Sequence, residues 1–196
     1  MNFKCYDVVE IQGKRYVVIE VISYQEFIIE KTVNYTLNDE MYNNELGTHK
    51  GAKNWTEYGL MPVDGEDKKW LTIVNGEKDY CTFSETILRS TPPKGYKLYD
   101  KGLQRVMSVE GESKARSGDK ADYKEYRSIK KDKTYVFFME DWHGGLKDQA
   151  QGERIRLSDV HRRRDQAAQA ASKKIRNVAR RKEWTRLGLR DRKSVV

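Results

Sequence analysis

Alternating apolar and polar residues cover most of the chain and predict a mainly β fold. The clearest stretch is 27–37, where Phe27, Ile29, Val33 and Tyr35 fall on one side and mostly polar residues fall on the other. A period of two over such a stretch is typical of a half-buried strand. The same pattern gives the other predicted strands, at 6–11, 14–24, 55–61, 68–74, 79–83, 96–100, 103–110, 121–129, 133–140 and 154–158.

Turn and linker residues divide these strands into two groups. Asn75-Gly76 is a dipeptide that tolerates positive φ at both positions and is typical of a hairpin. The segment 91–95, Thr-Pro-Pro-Lys-Gly, is the clearest boundary in the chain, because proline cannot donate to a β-ladder. The polar segment 38–54 is long for a loop in a compact domain, and we expect it to be mobile or functional.

The segments on either side of the boundary resemble each other. Residues 6–20 are similar in sequence pattern to residues 96–110, and each segment has a glycine between two predicted strands. We therefore predict two similar antiparallel β-meander units, at 1–90 and 91–160, forming a sandwich or a pair of small barrels. The alternative is that short strands look alike without a common origin.

Beyond residue 160 the pattern changes to helical spacing. Ala168, Ala171, Ile175 and Val178 recur at intervals of three and four residues, which places a narrow apolar stripe on one face of a helix. We predict a basic helical tail over 161–196.

The expected ends of this helix follow from its flanking residues. Ser158 or Asp159 is the predicted N-cap, since a short polar side chain can accept a hydrogen bond from the first turn. Gly188 is the predicted end of the helix.

Charge separates the tail from the rest of the chain. The protein has 196 residues and a net charge of +8, with 38 Lys and Arg against 30 Asp and Glu. Residues 161–196 contain thirteen basic and three acidic residues, a net charge of +10, which leaves −2 for residues 1–160. We expect the tail to bind an acidic partner or an anionic surface. The candidate contact residues are Arg162, Arg163, Arg164, Lys173, Lys174, Arg176, Arg180, Arg181, Lys182, Trp184 and Arg186.

Three partners fit such a tail. The first is an acidic protein, or acidic patches on residues 1–160, the body of the protein. Arginine favours such contacts with carboxylates. The second is an anionic membrane surface, with Trp184, Leu187 and Leu189 as anchors. The third is nucleic acid, with binding that falls steeply with salt, although the body has none of the common recognition motifs. The oligomeric state is left open.

Composition bounds the setting of the protein. No apolar run approaches the roughly 20 residues that span a bilayer, and residues 1–10 do not have the pattern of a signal peptide. Cys5 and Cys81 cannot make a disulfide framework. We therefore expect a cytoplasmic protein, peripheral at the inner face of the membrane if its tail binds lipid.

Candidate chemistry is sparse in the sequence. The histidines have neither the spacing of a zinc site nor nearby cysteines, and no phosphate-binding loop is present, so we expect no metal and no cofactor. Trp142 and His143 precede two glycines and are predicted to make contacts from an exposed loop. A nucleophilic pair of Cys81 and His143 is the enzymatic alternative. We expect a non-enzymatic protein.

Two sets of short segments carry a family resemblance. The first is Gly102-Leu103-Gln104-Arg105-Val106-Met107-Ser108-Val109-Glu110-Gly111-Glu112, followed by Gly118-Asp119 and Asp122-Tyr123. The second is Asp7-Val8-Val9-Glu10 with Gly13-Lys14-Arg15-Tyr16, then Trp55-Thr56-Glu57-Tyr58 and Lys69-Trp70-Leu71. With the closing segments 140–145 and 152–153, these residues resemble a bacterial family catalogued as domain of unknown function 4178, over about residues 6–160.

The resemblance implies a β-rich module with no catalytic residues to transfer. Such domains occur beside membrane-remodelling proteins of the phage-shock type, which implies an accessory role in membrane or envelope stress. We therefore expect a non-enzymatic accessory or adaptor module whose cationic tail binds an acidic partner or an anionic membrane. The alternatives are a nucleic-acid-binding protein and an enzyme with a site near Trp142 and His143.

Overall fold

The computed structural model describes the backbone of residues 1–37, 40–48, 53–65 and 67–186, and the side chains of residues 1–27, 53–65 and 67–180. The strands are β1 (Val8–Ile11), β2 (Lys14–Glu26), β3 (Ile28–Leu37), β4 (Glu40–Thr48), β5 (Asn54–Pro62), β6 (Lys69–Val74), β7 (Tyr80–Thr86), β8 (Lys97–Gly111), β9 (Lys120–Lys130), β10 (Lys133–Trp142), β11 (Lys147–Arg156) and β12 (Val160–Arg163). The helix α1 covers Gln166–Arg186, and a 3-10 turn covers Leu157–Asp159.

Eight strands close into one antiparallel barrel. Their order is β2-β5-β6-β7-β11-β10-β9-β8, and β8 pairs in turn with β2. Each half of the chain supplies four strands in sequence order, and the two sets join at the β7–β11 and β2–β8 seams. The predicted mainly β, antiparallel fold is confirmed. The prediction of two units is not confirmed, because the halves share one barrel.

Glycines lie at both seams. A Cβ atom on Gly111 would stand 2.2 Å from the Ile19 carbonyl oxygen, and Gly111 has a φ of +89°. A Cβ atom on Gly152 would stand 2.1 Å from the Phe83 carbonyl oxygen. The neighbouring backbone therefore occupies the space that a side chain would need, and only glycine permits this approach.

The inner face of the barrel combines buried carboxyl groups with an apolar cluster of Ile22, Tyr24, Trp55, Val106 and Tyr123. A second apolar cluster lies on the outer face of one side. The outer cluster contains Phe3, Val9, Tyr58 and Leu71 and is covered by β1 and β12, which extend the sheet beyond β2. On β2 the two faces exchange at a bulge between Val18 and Glu20. An extra residue in one strand reverses its side-chain alternation. Strand β2 therefore contributes Tyr16 and Val18 to the outer cluster and Glu20, Ile22 and Tyr24 to the inner face.

Strands β3 and β4 form a separate two-stranded antiparallel sheet. Residues 40–48 were predicted as part of a long polar loop, and that prediction is wrong, because they pair with β3. Hairpin pairing satisfies the backbone without apolar side chains, so composition alone did not reveal it. Residues 38–39 and 49–52 of the predicted loop lie outside the described residues.

Two further predictions of strand ends are corrected. The predicted strands 96–100 and 103–110 form the single strand β8, because Gly102 makes room for the ring of Tyr123 rather than a turn. Strand β11 begins at Lys147, within residues predicted as a loop. Pairing with β10 and β7 on both sides holds this polar segment in the sheet.

The helix α1 packs against β1 and β2. Ala168 and Ala171 are buried against Val8 and Val17, and Ser172 Oγ donates to the Tyr6 carbonyl oxygen over 2.8 Å. Val178, predicted on the same stripe, is 46% exposed, so the contact ends near Ile175. Among the described residues, no helix has the length and apolar content needed to cross a membrane.

The helix begins later than predicted. Asp165 is the N-cap, and its Oδ1 accepts the Ala168 backbone N–H over 2.9 Å. Ser158 and Asp159 belong instead to the 3-10 turn. The intervening β12 pairs with β1, an interaction distant in sequence that no local pattern shows. The predicted end at Gly188 lies outside the described residues.

Candidate functional site

The candidate cations of the tail fall into two groups. Arg162 and Arg163 lie on β12 and not on the predicted helix. Arg162 pairs with Asp7 over 3.0 Å, and Arg163 forms a bidentate contact with Glu10, with its Nη2 2.7 Å from Oε1. These two arginines therefore fasten β12 to the body.

Of the remaining cations, Arg164 precedes α1 and the others lie on it. Arg164, Lys173, Lys174 and Arg180 are exposed and have no ion pair with any described carboxylate. The Arg176 guanidinium lies 4.6 Å from the centre of the Tyr6 ring. Arg181, Lys182, Trp184 and Arg186 belong to the same helix, and their side chains lie outside the described residues.

The barrel contains a cavity of about 610 Å³. Inner-face residues of β2, β5, β6, β7, β10 and β11, with Lys120 of β9, form its walls. It reaches exposed residues of two loops, at 112–115 and 143–146, and therefore opens to solvent between them. Its polar walls contain Glu20, Glu57 and Glu140, and its aromatic walls contain Tyr24, Trp70, Phe138 and Trp142.

One wall holds a paired charge. Glu20 is 2% exposed, and its Oε2 accepts a hydrogen bond from Lys68 Nζ. The same ammonium group lies 3.9 Å from the centre of the Trp70 ring. A carboxylate and an indole face together hold this ammonium group at the cavity wall.

The other two carboxyl groups have only neutral donors among the described residues. Glu140 Oε1 accepts from Gln104 Nε2 over 2.6 Å. Glu57 accepts from the Tyr24 hydroxyl and, over 3.5 Å, from Thr72 Oγ1. Both groups keep some accessible surface because they face the cavity, although protein atoms surround them.

This environment raises the pKa of both carboxyl groups. Burial, followed by the charge of Glu140, raises the pKa of Glu57 to about 8. Burial also raises the pKa of Glu140 to about 7, against the opposing effect of Gln104. Taking a carboxylate out of water disfavours its charged form, and a second carboxylate nearby adds to the effect. The pair therefore retains protons near neutral pH.

Two buried polar atoms near Glu140 have no hydrogen-bond partner among the described residues. They are the Gln104 carbonyl Oε1 and the Trp142 indole Nε1. Gln104 is fully buried, and its amide is fixed by its bond to Glu140. The indole of Trp142 lies near enough to Glu140 to lower the pKa of that group. Buried polar groups are normally satisfied, so the Gln104 oxygen is an exception, and Gln104 is not among the residues that line the cavity.

Trp142 and His143 both line the cavity, although in different ways. Trp142 is half-buried at the end of β10, and its ring centre lies 6.5 Å from that of Tyr24. The predicted exposed-loop position is therefore wrong for this residue. His143 is exposed and lies 3.3 Å from Asp122. The sheet register, which the local loop sequence does not show, turns Trp142 inward.

The predicted Cys81–His143 pair is not assembled. Cys81 lies in the outer apolar cluster, and its thiol donates weakly to the Ile155 carbonyl oxygen over 3.9 Å. Burial raises its pKa to about 12, which leaves the thiol uncharged at neutral pH. Within the described part of the chain, no three His, Cys, Asp or Glu residues are grouped to hold a metal ion.

The sequence did not single out Glu57 and Gln104 as site residues, and it offered Glu140 only as part of a pair with Asp141 for which a solvated turn was the favoured interpretation. Glu57, Gln104 and Glu140 each lie in a predicted strand, on the face that closure turns inward. The available indication was a carboxylate at an alternate position of an otherwise apolar strand, as Glu57 lies two residues from Trp55.

These features define a closed antiparallel β-barrel domain with a carboxylate-lined cavity and an appended basic helix. A family model described as Domain of unknown function (DUF4178) matches residues 5–157, so the chain belongs to this family. The match confirms the predicted resemblance and ends before β12 and α1. Neither the search of curated proteins nor the search of solved structures gave a match.

Proposed function

We propose that this protein is a non-enzymatic accessory module whose basic helix binds an acidic protein partner. One observation carries the proposal. The apolar side of α1 is docked on the body through Ala168 and Ala171, while Lys173, Lys174 and Arg180 are exposed. A docked helix presents these cations in a fixed arrangement, which lowers the entropic cost of binding.

The docking of α1 favours a protein partner over lipid. Interfacial helices bind membranes by inserting an apolar face into the headgroup region. Ala168 and Ala171 are buried and Ile175 is half-buried, so most of the apolar stripe is already covered. An anionic membrane is the alternative partner, and the predicted anchors Trp184, Leu187 and Leu189 have side chains outside the described residues. The cytoplasmic setting and the link to membrane or envelope stress belong to the proposal, and the latter rests on the family resemblance.

The test uses the full chain and a charge-reversal variant, Lys173→Glu, Lys174→Glu and Arg180→Glu. The control variant carries Lys97→Glu, Lys124→Glu and Lys130→Glu, which make the same change of charge at exposed positions of β8 and β9. Each protein is cross-linked in cells and its partners are identified. We expect an acidic protein that the control retains and the helix variant loses.

Two further probes separate the alternatives. Vesicles of 70% phosphatidylcholine and 30% phosphatidylglycerol test the membrane, and a 20-base-pair DNA duplex tests nucleic acid. Binding to either probe that the helix variant loses, without any recovered acidic protein, would replace the proposal with that alternative. Equal partner recovery by both variants would show that the helix is not the contact.

A further inference from the structure

We propose that the barrel cavity binds a small organic cation through a primary ammonium group, which Glu57 and Glu140 hold beside the aromatic wall. This inference concerns the body of the protein and is independent of the basic helix. It rests on the size of the cavity, the excess of acidic residues in its wall and the way Lys68 is already held.

The size of the cavity suits a small organic molecule. Ligand pockets usually enclose about 300–1,000 Å³, and this cavity encloses about 610 Å³. A bare metal ion would leave most of that volume to water. The carboxylates are also too dispersed for a metal, since none of the described His, Cys, Asp and Glu residues form a group of three ligands.

The charge of the cavity wall indicates the sign of the ligand. The lining contains six acidic residues, Glu20, Glu57, Glu112, Asp119, Glu140 and Asp148, against three lysines, Lys68, Lys114 and Lys120. Of these lysines, Lys68 already pairs with Glu20. Glu57 and Glu140 accept only from neutral groups among the described residues. A buried carboxylate needs either a proton or a cation to offset its lost hydration. An ammonium group can replace the retained proton and adds N–H donors for both carboxylates.

The acceptors in the cavity wall indicate the kind of cation. When ionised, Glu57 and Glu140 can only accept, so a group that binds them carries N–H or O–H donors. A primary ammonium ion has three such donors, whereas a quaternary ammonium ion has none. Gln104, whose Nε2 donates to Glu140, is not among the residues that line the cavity and holds this carboxyl group from behind the wall.

The protein shows the same recognition once within its own chain. The Lys68 alkylammonium group is held by the Glu20 carboxylate and the face of Trp70. Tyr24, Phe138 and Trp142 offer further aromatic surface for the alkyl part of a ligand. The cavity therefore has room and contacts for a second alkylammonium group.

The experiment follows the indole N–H resonance of Trp142 in the 15N-labelled full chain, assigned with a Trp142→Phe variant. The probes are ethyl-, n-butyl- and n-hexylammonium chloride, with n-butanol as the neutral analogue and tetramethylammonium chloride as the cation without donors. Ionic strength is held constant with NaCl. We expect a saturable shift with at least one primary ammonium ion, at least tenfold tighter than with n-butanol or tetramethylammonium.

The matched variants are Glu57→Gln with Glu140→Gln, and Glu153→Gln as the control on the outer side of β11. The double variant keeps the shape of the wall and should weaken ammonium binding at least tenfold, whereas the control should not. Circular dichroism and thermal unfolding verify that each variant is folded. Absence of a saturable shift, equal binding of n-butanol, or equal affinity in the double variant would each overturn the proposal.

Discussion

Gln104 donates its amide Nε2 to Glu140 Oε1 across 2.6 Å inside the barrel, while its own Oε1 has no partner among the described residues. The bond joins β8 to β10 across the inner face, since β9 lies between them in the sheet. It fixes a buried carboxyl group of the cavity wall from behind, since Gln104 itself does not line the cavity.

The paired change Glu57→Gln and Glu140→Gln should raise stability at high pH. In the folded protein these carboxyl groups keep their protons up to about pH 8 and about pH 7. In the unfolded chain they lose them near the ordinary value of 4.5. The unfolded state therefore binds fewer protons between these limits, so their contribution makes stability fall as pH rises through this range.

Urea unfolding at pH 4 and pH 9 measures this effect. We expect the double variant and the parent to differ least at pH 4, where these carboxyl groups are largely protonated in both states, and the variant to be more stable by several kcal/mol at pH 9. Glu153→Gln, which alters a carboxylate outside the barrel, should give no such pH-dependent gain. A double variant that is equally stable at both values, relative to the parent, would contradict the assigned shifts.

Removing the Lys68 ammonium group should destabilise the fold. Lys68→Met leaves Glu20, whose side chain is 3% exposed, as an uncompensated buried charge. We expect a loss on the order of 2 kcal/mol, smaller than for a fully buried pair because the Lys68 side chain is 31% exposed.

Two variants make this measurement specific. Adding Glu20→Gln to Lys68→Met should restore most of the loss, since the buried charge is then absent. Lys69→Met breaks the neighbouring pair with Glu85, whose side chain is 53% exposed, and should cost less than about 1 kcal/mol. Equal losses for Lys68→Met and Lys69→Met in urea unfolding would refute the special position of the Glu20 pair.

The seam glycines should tolerate no side chain. Gly152→Ala places a Cβ atom against the β7 backbone, and Gly111→Ala places one against the Ile19 carbonyl oxygen at a positive φ. We expect each change to cost on the order of 3 kcal/mol or more in urea unfolding, because two backbone segments must separate. Gly144→Ala is the control, since a Cβ atom there meets nothing within 4 Å. A decrease of less than about 1 kcal/mol in the free energy of unfolding at either seam would show that the two strands can separate enough to accommodate a side chain there.

Both cysteines should react slowly in the folded protein. Burial raises the pKa of the Cys5 thiol to about 12, with a further contribution from the Glu110 carboxylate, and burial likewise raises that of Cys81 to about 12. Because the thiolate is the reactive form, labelling with Ellman's reagent at pH 8 should be at least about a hundredfold slower than in urea. Rapid labelling of either native thiol would contradict its assigned environment.

The sequence by itself determined the local elements of this protein. Alternation over 27–37 and 121–129 predicted strands that the structure contains, because side chains of a half-buried strand must alternate whatever they pair with. The spacing of Ala168, Ala171 and Ile175 predicted a helix and its docking face for the same reason. The strand and turn motifs sufficed for the family.

Only the tertiary structure decided how the strands pair and therefore what the barrel contains. The β2–β8 and β7–β11 seams join residues far apart in sequence, and no local pattern specifies such pairing. Closure brought Glu140 close to both Gln104 and Glu57, and it took the carboxyl groups of Glu57 and Glu140 out of water. Their interaction depends on distance in space, so neighbouring sequence could not show it.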